Sequence, residues 1–242
     1  MRKIIVSIFL VLTFLCLPAM SETAVDWVKK ADALLDGGKY TDPNKAIIYL
    51  NNAIKLKPNY APAYVGRGNA YANLGQNQRA IADFNKAIRL KPDDAGAFVN
   101  RGLAYYDLGQ NQRAIEDYSA AIRLKPDDAY AYYNRGLAYG KLGQPQREIE
   151  DYNEAIRLKP DDATAYYNRG VVYGILSQPQ RAIEDWNEAI RLKPDYADAY
   201  SNRGTAYFIQ GNNNLGCRDA QKACGLGNCK ILEWVKSKGE CR

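Results

Sequence analysis

The sequence predicts an all-α solenoid of antiparallel helix pairs, and three observations carry that prediction. One segment returns every 34 residues, beginning at Ala61, Ala95, Ala129, Ala163 and Ala197. Small and aromatic residues recur within it at helical spacing, and glycine or proline punctuates it at fixed offsets. Self-similarity at this period marks a repeat architecture, in which no unit can bury its apolar face without a neighbour.

The chain opens with Met1, Arg2 and Lys3, an apolar run from Ile4 to Leu17, a helix-breaking Pro18 and the small-residue pattern Ala19-Met20-Ser21. A basic start, a short apolar stretch and A-x-S predict a secretory signal over residues 1–21, cleaved after Ser21. The alternative is an uncleaved membrane anchor, but the run is short of the ~20 residues that span a bilayer. Cys16 does not read as a lipid-attachment site, because Phe14 and Leu15 precede it where a small residue is needed. The expected location is periplasmic or secreted, with no membrane insertion once the signal is removed.

Each repeating unit begins with a helix carrying an aromatic (Tyr64, Phe98, Tyr132, Tyr166, Tyr200), a glycine four residues on (Gly68, Gly102, Gly136, Gly170, Gly204) and a tyrosine three beyond that (Tyr71, Tyr105, Tyr139, Tyr173, Tyr207). Those spacings place all three on one helical face, with the glycine admitting a close neighbour. Leu74-Gly75, Leu108-Gly109, Leu142-Gly143 and Leu176-Ser177 then end the helix, and Pro145 and Pro179 open the next in two units. The second helix has its own small and aromatic face: Ala80, Phe84, Ala87; Ala114, Tyr118, Ala121; Glu148, Tyr152, Ala155; Ala182, Trp186, Ala189. Lys-Pro-Asp stops it at Pro92, Pro126, Pro160 and Pro194.

These positions resemble the tetratricopeptide repeat (TPR) family, with arginine in place of leucine at the second of its eight characteristic positions and Glu148 in place of one alanine. The resemblance implies a right-handed superhelical solenoid. Full units cover 61–94, 95–128, 129–162 and 163–196. Upstream, 22–60 reads as a divergent first unit through Trp27, Ala31, Leu34, Gly38, Ala46, Leu50, Ala53 and Pro58, with three extra residues around Thr41-Asp42-Pro43. Downstream, 197–242 reads as a degenerate unit plus a capping helix, since Gly216 and Ala220 stand where alanine and an aromatic are expected.

Arg67, Arg101, Arg135, Arg169 and Arg203 precede Asp83, Asp117, Asp151, Asp185 and Asp219 by sixteen residues, and the first unit lacks both, having Lys30 and Tyr49 instead. Joint presence and joint loss predict ion pairs that tie helix to helix, because buried charges need partners. Arginines that hold an anionic ligand are the competing reading. Just before the later arginines stand Asn100, Asn134, Asn168 and Asn202, with Gly66 in the earlier unit. The family resemblance implies that first helices line the concave side and that these asparagines hydrogen-bond an extended peptide. A carboxamide, offering donor and acceptor, suits that role. Leu103, Leu137, Val171, Tyr106, Tyr133 and Tyr167 are the expected neighbours in the groove, with Phe208 adding apolar reach. The alternative is that the asparagines bond backbone between repeats.

Cys217, Cys224, Cys229 and Cys241 crowd the last 26 residues, and an even count in an exported chain predicts two disulfides with three possible connectivities. Cys217 and Cys224 are roughly 10 Å apart along one helix, too far to bridge. A turn at Gly225-Leu226-Gly227-Asn228 and a returning helix over Ile231 to Lys238 favour Cys224 with Cys229 and Cys217 with Cys241. Redox or zinc chemistry is the alternative, against which stands the lack of a C-x-x-C spacing.

With 47% hydrophobic residues in 242, the chain can bury a sizeable core. It contains no histidine, which removes His-based acid–base catalysis, His-activated nucleophiles and His metal sites. The net charge of +6 falls by two on export, and its cations alternate with acids, so no nucleic-acid partner is expected. No metal, cofactor or catalytic residue is expected either, since the acids recur with the repeat instead of converging on one pocket. The sequence-level reading is an exported, non-catalytic module that binds a protein or peptide partner and serves assembly of an envelope or secretion complex. A self-associating spacer is the second reading.

Overall fold

The structure is a computed structural model, and it describes residues 22–241. The expected signal peptide, its cleavage site and Cys16 lie outside the described residues. Among those described, the chain forms α1 (Ala24–Asp32), β1 (Leu35–Asp36), β2 (Lys39–Tyr40), α2 (Pro43–Leu56), α3 (Ala61–Asn73), α4 (Asn77–Leu90), α5 (Ala95–Asp107), α6 (Asn111–Leu124), α7 (Ala129–Lys141), α8 (Pro145–Leu158), α9 (Ala163–Ile175), α10 (Pro179–Leu192), α11 (Ala197–Ile209), α12 (Asn213–Gly225) and α13 (Lys230–Ser237). Consecutive helices pair antiparallel, from α1 with α2 to α11 with α12, and the pairs stack into an all-α solenoid with α13 behind the last. First helices of successive units touch one another directly, as α3 does α5 and α9 does α11, so they form the inner wall.

Local chemistry sets the helix ends. The aspartate just before α5, α7 and α9 (Asp94, Asp128, Asp162) caps it by accepting from the Ala97, Ala131 and Ala165 N–H groups. At the other end, glycine supplies the left-handed residue after α3, α5, α7 and α11, with φ of 70° at Gly75 and 71° at Gly109. Ser177 takes that same conformation at φ 57° without glycine's freedom.

Within each full unit the second helix packs a ring against the first helix's glycine. A Cβ built at Gly68 would lie 2.6 Å from Phe84, at Gly102 2.7 Å from Tyr118, at Gly136 3.0 Å from Tyr152 and at Gly170 2.8 Å from Trp186. The last unit reverses the arrangement. Ala220 is small, Gly216 sits on α12, and Phe208 of α11 lies over it, 2.8 Å from where a Cβ would be. Phe208 therefore joins the buried cluster of Ala220, Ile231 and Val235 under α13, instead of only extending the groove.

The first unit departs from expectation. Its first helix ends at Asp32, and the final turn together with the extra residues becomes a two-stranded hairpin, β1 with β2, turned at Gly37 (φ 53°) and Gly38 (φ 81°). Leu34 still packs on the adjoining core. The hairpin delivers Tyr40, whose N–H donates to Asn73 Oδ1 at 2.9 Å and whose hydroxyl lies where a Cβ at Gly66 would project. Burial pushes the Tyr40 phenol up to about 12. The asparagine row thus begins at Asn100, because the earlier place is filled from the hairpin.

Each repeat arginine is held at three points. Its Nε and one terminal nitrogen donate to both oxygens of the paired aspartate, Arg67 to Asp83, Arg101 to Asp117, Arg135 to Asp151, Arg169 to Asp185 and Arg203 to Asp219. The remaining nitrogen reaches the second helix of the preceding unit, at Asn51, Asn85, Ser119, Asn153 or Asn187, over 2.5–3.0 Å. Rings at the aromatic positions flank the guanidinium, Tyr132 at 5.5 Å and Tyr139 at 5.9 Å in the case of Arg135. The five aspartates are buried. Asp151→Ala should therefore cost about 3 kcal/mol by leaving Arg135 uncompensated, measured as urea-induced unfolding; an unchanged midpoint would show the pair to be dispensable.

Candidate functional site

The inner wall is built from the first helices, which touch from unit to unit. Along it the asparagines engage their neighbours. Asn100 donates to Asn69 Oδ1 at 3.0 Å, Asn168 to Tyr133 Oη at 2.7 Å and Asn202 to Tyr167 Oη at 3.1 Å. Asn134 instead turns back to the Tyr130 carbonyl of its own helix at 2.7 Å and is only 6% exposed, so an incoming chain reaches it least. In the other three, the carboxamide oxygen and the second N–H are free of these bonds.

Tyr133 and Tyr167 each serve the next unit's asparagine and stack on a further ring, Tyr152 at 5.7 Å and Tyr196 at 4.8 Å. Burial raises the pKa of both phenols. Leu103 and Tyr106 pack against the buried cluster around Tyr118, while Leu137 and Val171 are half-buried along the same wall.

Sequence reasoning missed the most exposed apolar residues. Ile175 and Ile209 are each 75% exposed and Trp234 59%. Ile175 and Ile209 occupy one repeat position, where the earlier units have Asn73, Asp107 and Lys141. That switch from polar to apolar was the available signal. Two hollows meet here. One of about 440 Å³ is lined by Val171, Ile175, Trp186, Asn202, Thr205 and Ile209. The other, about 500 Å³, is lined by Thr205, Phe208, Ile209, Ile231 and Trp234. They share Thr205 and Ile209 and form one apolar trough at the C-terminal end of the wall.

Disulfides hold the trough's outer side. Cys217 of α12 is bonded to Cys241, with Cα atoms 5.2 Å apart, and Cys224 is bonded to Cys229 at the start of α13. Together they fasten α13, with Ile231 and Val235 inward and Trp234 toward the trough. Among the described residues no group of three His, Cys, Asp or Glu is placed to hold a metal ion, and no helix is long and apolar enough to cross a membrane.

A family model described as TPR repeat matches residues 68–109, 102–143, 149–175 and 178–211, more than half of the chain, and the chain belongs to that family. A comparison with the curated proteins gives no match. Among solved structures, MamA is similar at 29% identity and a TM-score of 0.63, over 71% of this chain and 96% of that one. YrrB, described as a TPR protein with an unusual peptide-binding site, is 22% identical with a TM-score of 0.66, over 78% of this chain and 97% of its own. PilF of Pseudomonas aeruginosa is 14% identical with a TM-score of 0.76, over 88% and 97%. The last two likenesses concern the fold alone. The chain is a TPR solenoid.

Cys217→Ser with Cys241→Ser should release α13. The 24-residue closure contributes about 3 kcal/mol by loop-entropy reasoning, so amide exchange at Ile231 and Val235 should accelerate strongly while α3 to α8 stay protected; uniform protection would show that packing alone retains the helix.

Proposed function

We propose that this chain is an exported interaction module that grips an extended segment of a partner protein along its inner wall, serving assembly of an envelope or secretion complex. One observation carries the reading: a contiguous apolar trough, with Ile175, Ile209 and Trp234 uncovered and half-buried Val171 in its lining. Exposed aliphatic and aromatic side chains in a concave setting mark a docking surface. Free carboxamide groups of Asn100, Asn168 and Asn202 are suited to the partner's backbone, and the trough to its side chains. The fold admits such use, since YrrB carries a peptide-binding site on it. Export rests on the basic and apolar pattern of residues 1–21 and on paired cysteines, which persist in oxidising compartments.

Selection of a displayed random 12-residue peptide library on the full chain tests the reading. The unaltered protein should enrich sequences with clustered apolar residues, and Ile175→Asp with Ile209→Asp, which alters only exposed positions, should enrich none at an unchanged melting temperature. Light scattering should show one mass across concentrations. A mass that climbs, with no peptide enriched, would replace this reading by the self-associating spacer.

A further inference from the structure

We propose that the middle of the groove contains a seat for a cationic side chain of the bound segment, made by the Glu148 carboxylate beside Tyr106 and oriented by the buried Tyr152 hydroxyl. The inference rests on the groove reading above and assigns the partner's chemistry at one point. The second helices of the other full units carry Ala80, Ala114 and Ala182 at this position, all fully buried, whereas α8 carries Glu148. The facing helix departs at the same place. Gly140 stands where α5 has Tyr106, and a Cβ there would lie 2.6 Å from the Glu148 carboxylate. Gly174 in the next unit faces the larger Trp186 instead, with no carboxylate involved. A glycine and a glutamate thus appear together, and the glycine makes room for the acid.

The acid is left incomplete. It is half-buried, it accepts one hydrogen bond from Tyr152 Oη at 3.1 Å, and it enters none of the ion pairs among the described residues. Lys141, next to Gly140, is exposed and unpaired with it, and Arg147 donates to Gln144. Burial raises the pKa of Glu148, as expected of a carboxylate short of compensation. Tyr106 lies within its electrostatic reach and shares the neighbourhood of Tyr152. The fully buried Tyr118 hydroxyl, which has no hydrogen-bond partner, feels Tyr106, Tyr130 and Asp107 on the same side. An ammonium or guanidinium group entering here would meet the half-buried carboxylate, with the partly exposed Tyr106 beside it, and a carboxylate favours a cation through a charge-assisted hydrogen bond.

The seat, on α7 and α8, is one first helix from the trough's nearest lining on α9 and two from its centre on α11, roughly 10–20 Å at ordinary helix spacing, or about three to six extended residues. The bound segment should therefore carry Lys or Arg about three to six residues from its apolar cluster.

The test repeats the peptide selection on the full chain and on Glu148→Ala, which restores the residue found at Ala80, Ala114 and Ala182 and so keeps the fold. The unaltered protein should enrich Lys or Arg at a fixed distance from the apolar residues, and Glu148→Ala should retain the apolar preference and lose the basic one. A fluorescein-labelled copy of the selected peptide with that residue replaced by norleucine should bind the unaltered chain about tenfold more weakly, as expected for a charge-assisted hydrogen bond. It should bind Glu148→Ala as well as the parent peptide does. Apolar enrichment with no basic residue, or a basic preference that survives in Glu148→Ala, overturns the seat and leaves the groove standing. No enrichment at all on the unaltered chain overturns both.

Discussion

The guanidinium clamp is the constraint on which the stack depends. Much of the core is alanine, with Ala46, Ala80, Ala114, Ala182 and Ala199 fully buried, and such small side chains let helices approach closely but specify little about register. A fork of fixed geometry does specify it. Arg135 can satisfy Asp151 and Ser119 together only when its own second helix and the preceding one stand at one height. Slipping a unit by a helical turn would leave two buried ionic groups without partners, a penalty large against the few kcal/mol that separate folded from unfolded chains.

Where the clamp is missing, other devices take over. The first unit has no arginine and leans on Arg67 of the next through Asn51, with Tyr40 and Leu50 filling the space beside Gly66. At the far end, Asp219 receives the last arginine, and α13 beyond it has none, so covalent bonds hold that helix.

The period, the helix boundaries and the arginine–aspartate spacing were legible because they repeat, and repetition turns a weak local pattern into a strong one. The third leg of the clamp was equally periodic, through Asn51, Asn85, Ser119, Asn153 and Asn187, yet a polar residue on a second helix reads as ordinary surface until its neighbour is placed. The hairpin was hidden for the opposite reason: it occurs once, and its strands are two residues each. In the groove the asparagine positions were readable, but not that Tyr133 and Tyr167 already occupy part of them, because that contact joins residues 35 apart in neighbouring units. The apolar trough depends likewise on what fails to cover Ile175 and Ile209, which only the assembled wall reveals.

The two dissimilar ends also bear on how many molecules can join. A stack of like units exposes at each tip a surface complementary to the other tip, which is the geometry of an open-ended fibre. Here the cystine-bound α13 covers the α12 side at the C-terminal end, so that end no longer presents the surface found between units inside the stack. The cystine bonds that hold α13 therefore also decide which side chains that end of the stack can offer to another molecule.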